Sequence, residues 1–125
     1  MDRDTSLYAE YLLEREGISL ISNEHGFATY RKLDTGDYWM MDVFVKKQKK
    51  SNSGWSGRRA GVAHQLSRDI AAIAKKDGAN FLVTSICLDV NGVTESMKAI
   101  LGDGFRYANS NGNMLFFNKS LVGEI

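Results

Sequence analysis

Residues 38–45 read YWMMDVFV, a run that is apolar at every position except Asp42, and residues 81–90 read FLVTSICLDV, a second mostly apolar run of strand length. Between them, residues 61–76 repeat apolar side chains at the spacing of one helix face, namely Val62, Leu66, Ile70 and Ile73. Strand, helix and strand in this order predict a β-α-β unit, whose two strands run parallel with a right-handed crossover. Because the first run is apolar on both faces, we expect it in the middle of a sheet with both sides covered.

The rest of the chain adds helices and strands on either side of this unit. Two more helices are predicted at residues 4–16 and 94–101, and short strands at 18–22, 27–33, 105–108 and 114–119. Clusters of Asn, Asp and Gly separate neighbouring strands, which is typical of hairpin turns. The predicted fold class is therefore α/β (α+β), a mixed and mostly antiparallel sheet with one central parallel β-α-β pair and helices on both faces.

The chain has 125 residues, 43% of them hydrophobic and 25% charged, which is typical of one domain spanning residues 1–125. Its one cysteine, Cys87, excludes an internal disulfide framework. No window holds the roughly 18 apolar residues of a membrane helix, and the acidic N-terminus is unlike a secretory signal. We therefore expect a cytoplasmic protein without membrane partners. Two separated histidines and one cysteine offer no metal-ligand spacing, so no metal is expected.

Positive charge is concentrated in residues 46–59, although the net charge of the whole chain is only +1. This segment has no acidic residue, and its basic residues are Lys46, Lys47, Lys49, Lys50, Arg58 and Arg59. A concentrated positive region on a nearly neutral protein favours a local anionic ligand over a long nucleic-acid surface. A solvated basic loop is the alternative. Trp55 lies in the same segment and either covers an adenine ring or an acceptor, or anchors the loop.

A turn rich in small residues links this basic segment to the helix of the β-α-β unit. Residues 57–63 read GRRAGVA, and their small side chains let backbone N–H groups approach a ligand closely. In open α/β sheets, ligands bind at the carboxyl ends of the parallel strands, beside the start of the crossover helix. Free N–H groups and the helix dipole favour an anion such as a phosphate there, and Arg58 and Arg59 add fixed positive charge.

The same turn resembles a known family motif. Residues 58–63, RRAGVA, are similar to the Arg/Gln-x-x-Gly-x-Gly/Ala pyrophosphate loop of GNAT-superfamily N-acetyltransferases. Residues 81–90 stand where that family has its fifth strand, and the helix predicted at 94–101 is followed by Gly-Phe, as its next helix commonly is. The resemblance extends in order over residues 38–119. The part before it has one helix where the family often has two.

This resemblance implies acetyl-CoA as the cosubstrate. Its pyrophosphate would bind the N–H groups of residues 59–63 and the side chain of Arg58. Its pantetheine arm would pair with the backbone of residues 41–45, in a splayed gap between the two parallel strands. A backbone N–H near Val43 would steady the oxyanion as an amine attacks the thioester directly. The implied cofactor-binding residues are Met41, Val43, Val45, Arg58, Arg59, Ala60, Gly61, Val62 and Ala63.

Three polar residues near the expected cleft are the candidates for catalysis. Asp42 is the one charge in a strand expected to be buried, and burial would raise its pKa toward that of a general base. The alternative is that it faces a gap or pairs with a lysine. Asp89 and Asn91 end the second parallel strand and would position an amine or a water, although Asn91 equally suits a turn. The family often has a tyrosine as the acid for the thiolate, four residues before the Gly of Gly-Phe, and here that residue is Ile100.

The function predicted from the sequence is transfer of an acetyl group from acetyl-CoA to an unidentified amine, on a small molecule or a protein. One alternative is a non-catalytic binding or assembly protein with the same fold, such as a phage protein. Another is a module that contacts nucleic acid through residues 46–59, with Trp55 stacking on a base. A homodimer is compatible with the sequence. His64 is interpreted as a solvated or packing residue rather than as a base.

Overall fold

The structure is a computed structural model that describes residues 3–46, 61–89 and 92–122. Its helices over these ranges are α1 (Arg3–Glu16), α2 (Val62–Lys76) and α3 (Val93–Gly102). Its strands form one sheet and are β1 (Ser19–Asn23), β2 (Gly26–Lys32), β3 (Tyr38–Val45), β4 (Phe81–Cys87), β5 (Arg106–Asn111) and β6 (Met114–Ser120). The strand order is β1-β2-β3-β4-β6-β5, and the predicted mixed α/β sheet is confirmed. None of these helices combines the length and the hydropathy that crossing a membrane requires.

The β-α-β unit has the predicted strand directions. β3 and β4 lie parallel, with residues 38–40 opposite residues 82–84, while the other strand pairs of the described sheet are antiparallel. α2 connects the two parallel strands and packs its apolar face on the sheet, which buries Leu66, Ile70 and Ala74. Val62, Leu66 and Ile70 of the predicted spacing thus lie on the contact face of this helix, whereas Ile73 is exposed and Ala74 is buried in its place.

The end of α2 follows from local chemistry. Lys75 and Lys76 lie in its last turn, where positive charge is favoured by the helix dipole. Gly78 follows with a φ of 87° and donates its N–H to the carbonyl of Lys75. Glycine adopts this left-handed conformation without strain, so the chain can turn there and enter β4 at Phe81.

The main core lies between α2, the end of α3 and one face of the sheet. Its largest fully buried side chains are Phe105, Leu66, Ile70 and Leu82. Along β4 the buried residues alternate with residues that are half-buried or exposed, so this strand is fully buried on one face rather than on both. Truncating a buried Leu or Ile to alanine typically costs about 2–5 kcal/mol. These contacts therefore hold α2 firmly on the sheet.

The expectation that β3 is covered on both faces is wrong for the second half of the strand. Met40 is 3% exposed, but Val43 and Phe44 have 38% and 47% of their surface exposed, and Asp42 is exposed as well. The reason lies in the pairing. β4 accompanies β3 only as far as Met40, so β2 is the strand that flanks the remainder of β3 in the described part of the sheet.

The closing hairpin is longer and its turn tighter than predicted. β5 extends to Asn111, past the predicted end at residue 108, so Gly112 and Asn113 alone separate it from β6. Ala108 bulges out of the ladder, because Tyr107 and Asn109 face successive residues of β6. Asn and Ser have low strand propensity, so pairing with β6 makes this segment a strand. β4 also ends earlier than predicted, at Cys87 rather than at residue 90.

Candidate functional site

The two parallel strands separate beyond Met40 and Thr84. These are the last residues that β3 and β4 pair, although β3 continues to Val45 and β4 to Cys87. β3 stays paired with β2 along its other edge as far as Val45. The edge of residues 41–45 that faces β4 therefore has no strand partner within the described ranges. Backbone N–H and C=O groups require hydrogen-bond partners, so the gap between β3 and β4 suits an extended ligand that pairs as a strand would.

A β-bulge lies at the point where the strands separate. Thr29 faces Asp42 and Tyr30 faces Met40, so Met41 is an extra residue in β3 relative to β2. Such an extra residue bends its strand and increases the local twist, and bulges are over-represented next to active sites. The bulge at Met41 thus lies directly after the last pair that β3 forms with β4.

The start of α2 lies at the same end of the sheet as this gap. The Tyr38 hydroxyl, at the start of β3, donates a hydrogen bond to Asp77 Oδ2 at 2.8 Å, which places the end of α2 beside the start of β3. α2 has 15 residues, and a helix of that length is roughly 22 Å long. Its first turn therefore lies toward the carboxyl ends of the parallel strands.

Asp77 joins two strands to the end of α2. Lys32 Nζ lies 2.8 Å from Asp77 Oδ2. The hydrogen bond from Lys32, followed by the one from Tyr38, lowers the pKa of Asp77. Burial, followed by the hydrogen bond to Asp77, raises the pKa of Tyr38 to about 12. These contacts fix the end of α2 that lies away from the gap.

The first turn of α2 presents backbone N–H groups that no side chain of the described residues caps. Gly61 precedes the helix with a φ of 87°, and its carbonyl accepts a helical hydrogen bond from the N–H of Gln65. The N–H groups of Val62, Ala63 and His64 thus come before the helical hydrogen-bond pattern begins. The first turn has no acidic residue. Free N–H groups and the helix dipole together favour an anion at this position.

Solved structures of other proteins have the same arrangement of helices and strands. An acetyltransferase from Bacillus subtilis in complex with CoA matches with a TM-score of 0.65 at 17% identity, over 96% of this chain and 86% of that one. The PaiA N-acetyltransferase from Thermoplasma acidophilum in complex with coenzyme A matches with 0.66 at 12% identity, over 94% and 71%. A GNAT-family acetyltransferase from Staphylococcus aureus matches with 0.64 at 14% identity, over 97% and 80%. The chain has the GNAT fold.

The evidence for the GNAT fold comes from the shape of the chain. No protein-family model matches the sequence, and no curated protein matches it. The resemblance inferred from residues 58–63 and from the order of the downstream elements is nevertheless confirmed at the level of the fold.

The structure describes six of the nine predicted cofactor-binding residues, and these six form two groups. Met41, Val43 and Val45 follow β3 along the gap, Met41 being the bulged residue and Val45 being buried. Gly61, Val62 and Ala63 form the start of α2. Arg58, Arg59 and Ala60 lie outside the described residues. So does the basic segment with Trp55, apart from Lys46.

Asp42 lies next to the bulge but is not buried, which corrects the expectation for this residue. Its carboxylate Oδ2 accepts a hydrogen bond from Thr29 Oγ1 at 3.2 Å, and its backbone N–H donates to the same Thr29 oxygen at 3.2 Å. Burial required β4 to run beside this part of β3, and the parallel pairing ends before it, at Met40. The position of Asp42 beside the bulge, rather than burial, is what makes it a candidate.

Asp89 lies on the opposite side of the gap from Asp42. It is exposed in the turn after β4, and its Oδ2 accepts a hydrogen bond from Asn113 Nδ2 at 2.6 Å. Asn113 belongs to the β5–β6 turn, so Asp89 bonds to the side of β4 that faces away from β3. Asn91 lies outside the described residues. No hydrogen bond between Asp42 and Asp89 joins the two sides.

A buried polar cluster beside the start of α2 was not predicted. Asp103, whose side chain is 5% exposed, caps the end of α3. Its Oδ1 lies 2.7 Å from His64 Nδ1 and 3.6 Å from Lys119 Nζ, and its Oδ2 accepts a hydrogen bond from Ser67 Oγ at 2.5 Å. These residues come from α2, α3 and β6. The one signal in the sequence is the hydroxyl of Ser67 on the otherwise apolar buried face of α2.

The described residues contain no group of three His, Cys, Asp or Glu side chains placed to hold a metal ion.

Proposed function

We propose that this chain transfers an acetyl group from acetyl-CoA to a primary amine, by direct attack of the amine on the thioester. The observation that carries the proposal is the gap between β3 and β4 at the same end of the sheet as the start of α2, whose first N–H groups face no acidic or capping side chain among the described residues. The gap suits the extended pantetheine arm of acetyl-CoA, and the start of α2 suits its anionic phosphates. The Bacillus subtilis and Thermoplasma acidophilum proteins, which share the fold, were solved in complex with CoA.

The pantetheine arm is proposed to lie along residues 41–45. Pantetheine contains two amide groups, each with an N–H donor and a carbonyl acceptor. The edge of β3 that faces the gap offers the complementary backbone groups at strand spacing, because β4 no longer pairs with it beyond Met40. Backbone groups of Met41, Val43 and Val45 would pair with the arm in this arrangement. The side chains there contribute little specificity of their own.

The pyrophosphate is proposed to bind at the start of α2. The N–H groups of Gly61, Val62 and Ala63 would be its donors, together with Arg59, Ala60 and the guanidinium of Arg58. A Cβ at position 61 would meet no neighbouring atom within 4 Å, but its φ of 87° strains any residue other than glycine. The role of Gly61 is therefore to let the backbone turn so that these N–H groups face the same point.

The proposed reaction has three steps. The amine nitrogen attacks the thioester carbonyl carbon, forms a C–N bond and leaves a negative charge on the carbonyl oxygen, which the N–H of Val43 stabilises. The amine then gives up a proton to Asp42, directly or through a water, and Asp89 and Asn91 orient the amine or the water. The tetrahedral intermediate collapses by breaking its C–S bond, which releases the N-acetylated amine and the thiolate of coenzyme A.

No dedicated acid is required for the departure of the thiolate. Ile100 stands at the position where the family often has a tyrosine, and it packs against the core. A free thiol has a pKa of about 8.5, so the thiolate is a fair leaving group and can take its proton from water. The proposed enzyme therefore depends on binding and on the base more than on an acid.

The experiment that tests this proposal is calorimetric titration of the full chain with acetyl-CoA. We expect saturable binding to the wild type and loss of binding in Gly61→Val and in Arg58→Glu. Gly36→Val is the matched control, because Gly36 also has a positive φ and open space around its Cβ position but lies in the β2–β3 turn. That variant should carry similar strain and retain binding. No binding of acetyl-CoA to the wild type would refute the proposal.

Turnover is measured separately, by release of free coenzyme A in the presence of a panel of primary amines. Cys87 is itself a free thiol, so the assay subtracts the thiol signal of the protein without acetyl-CoA. Binding without release for any amine would favour a non-catalytic binding protein with the GNAT fold.

A further inference from the structure

The buried carboxylate of Asp103 connects the end of α3 with the first two turns of α2. A buried charge is costly unless it is paired and hydrogen-bonded. Here three donors surround it: His64 and Ser67 from α2, and Lys119 from β6. The cluster therefore fixes the position of His64 relative to the sheet.

The contact with Asp103 also fixes which nitrogen of His64 carries a proton. A carboxylate accepts hydrogen bonds and does not donate them, so His64 must donate from Nδ1 at this 2.7 Å contact. Nε2 is left for another partner. The His64 side chain is 38% exposed although its Nδ1 contacts the buried carboxylate of Asp103. The ring is thus held in place and accessible at the same time.

His64 is the third residue of α2, in a first turn that has no acidic residue. The carboxylate that its ring contacts comes instead from Asp103, on a different element.

We propose that Asp103 is a positioning residue that holds His64 so that its Nε2 contacts a phosphate group of coenzyme A. This inference rests on the proposed function, because it takes the ligand at the start of α2 from there. His64 is then a binding residue, and Asp103 acts through it. Ser67 and Lys119 hold the carboxylate in place from the other side.

The described groups that face the His64 ring and its partner are Asp103 from α3, Lys119 from β6 and Ser67 from α2 itself. With Nδ1–H engaged by Asp103, a hydrogen bond from Nε2 to a phosphate uses the ring with a proton on both nitrogens.

The test is titration of coenzyme A into wild type and His64→Asn. Asparagine places an N–H close to the Nδ1 position, so it can still bond to Asp103, but it has nothing in place of Nε2. We expect His64→Asn to bind about tenfold more weakly than wild type, as for loss of a hydrogen bond to a charged group. The melting temperature of the unliganded variant should stay close to that of wild type.

Two further measurements complete the test. His64→Leu removes both nitrogens and should lose melting temperature as well as affinity. Titration with dephospho-coenzyme A, which lacks the 3′-phosphate, distinguishes the phosphates. If His64→Asn still binds this ligand more weakly than wild type does, the contact is with the pyrophosphate. If the two proteins bind it equally, the contact is with the 3′-phosphate.

Equal binding of coenzyme A by wild type and His64→Asn would overturn this inference and leave the proposed function standing. Absence of binding to wild type would overturn the proposed function itself. The two failures are therefore distinguishable.

Discussion

Thr84 Oγ1 donates a hydrogen bond to the backbone carbonyl of Met40, at 3.1 Å and in a buried position. These two residues are also the last pair in the parallel ladder between β3 and β4. The side chain of one strand thus binds the backbone of the other at the point where the gap opens. This hydrogen bond holds β3 and β4 together at the last residues they pair, directly before the two strands separate.

Replacing Thr84 with valine keeps the shape of the side chain and removes the donor. We expect the free energy of unfolding to fall by about 1–2 kcal/mol, because the carbonyl of Met40 loses a hydrogen bond in a buried place. Denaturation by urea measures the change. Thr94→Val serves as the control, since Thr94 is exposed on α3 and should change stability by less than about 0.5 kcal/mol. Equal stability of Thr84→Val and wild type would show that the hydrogen bond does not hold the strands together.

Much of the fold could be predicted from the sequence because it is encoded locally. The apolar spacing in α2 and the apolar runs of β3 and β4 identify a β-α-β unit, and the structure has the parallel pair that this unit implies. Side-chain pattern does not reveal whether an apolar run is covered. Val43 and Phe44 look like core residues in the sequence and are exposed, because the partner strand leaves β3 before it reaches them.

The site was predictable in its backbone and not in its side chains. The small residues at the start of α2 signal an anion-binding turn, since that property depends on consecutive residues. The cluster around Asp103 combines His64, Ser67 and Lys119 from distant parts of the chain. No spacing in the sequence indicates such a cluster, so only the fold reveals it.

Deleting Met41 should remove the bulge and leave the rest of the β2–β3 ladder in register. Thr29 would still face Asp42, because Met41 is the extra residue between two existing pairs. We expect a folded protein that binds acetyl-CoA at least tenfold more weakly, since a straight β3 would stay beside β4 and narrow the gap. Calorimetric titration measures the affinity, and circular dichroism checks the fold. Met41→Ala retains the bulge and should bind acetyl-CoA as wild type does. If the deletion variant also binds acetyl-CoA as tightly as wild type, the bulge does not have this role.

Alkaline pH should destabilise the fold through Tyr38. Its pKa is about 12 in the folded chain and 10.0 in the absence of these interactions. Between these values the unfolded chain loses the phenolic proton more readily than the folded chain, so the stabilising contribution of Tyr38 falls as the pH rises. The melting temperature of wild type should therefore drop over this range more than that of Tyr38→Phe. Parallel curves for the two proteins would contradict the assignment.

Acid should also weaken the contact between Tyr38 and Asp77, by protonating the carboxylate of Asp77. The hydrogen bonds from Lys32 and Tyr38 lower the pKa of Asp77 below 3.8 in the folded chain. Its stabilising contribution is present above that value and is lost as the pH falls through the lowered pKa. Asp77→Asn should consequently show a weaker acid dependence of its melting temperature than wild type. The idea fails if both lose stability equally in acid.

Asp42→Asn tests the proposed base. The amide oxygen can still accept the hydrogen bond from Thr29, but the side chain can no longer take a proton. We expect kcat for acetyl transfer to fall about a hundredfold while the affinity for acetyl-CoA stays nearly the same. Thr29→Val is the matched variant, because it removes the hydrogen bond and leaves the carboxylate. Unchanged kcat in Asp42→Asn would exclude Asp42 as the base.

Backbone hydrogen exchange with and without acetyl-CoA tests the binding mode most directly, because it reports on the N–H groups that the ligand is proposed to occupy. Peptides covering residues 41–45 and 61–65 should exchange more slowly when acetyl-CoA is present, and peptides from the β5–β6 hairpin should not change. Protection confined to other parts of the chain, or no protection at all under saturating acetyl-CoA, would contradict a coenzyme held between β3, β4 and the start of α2.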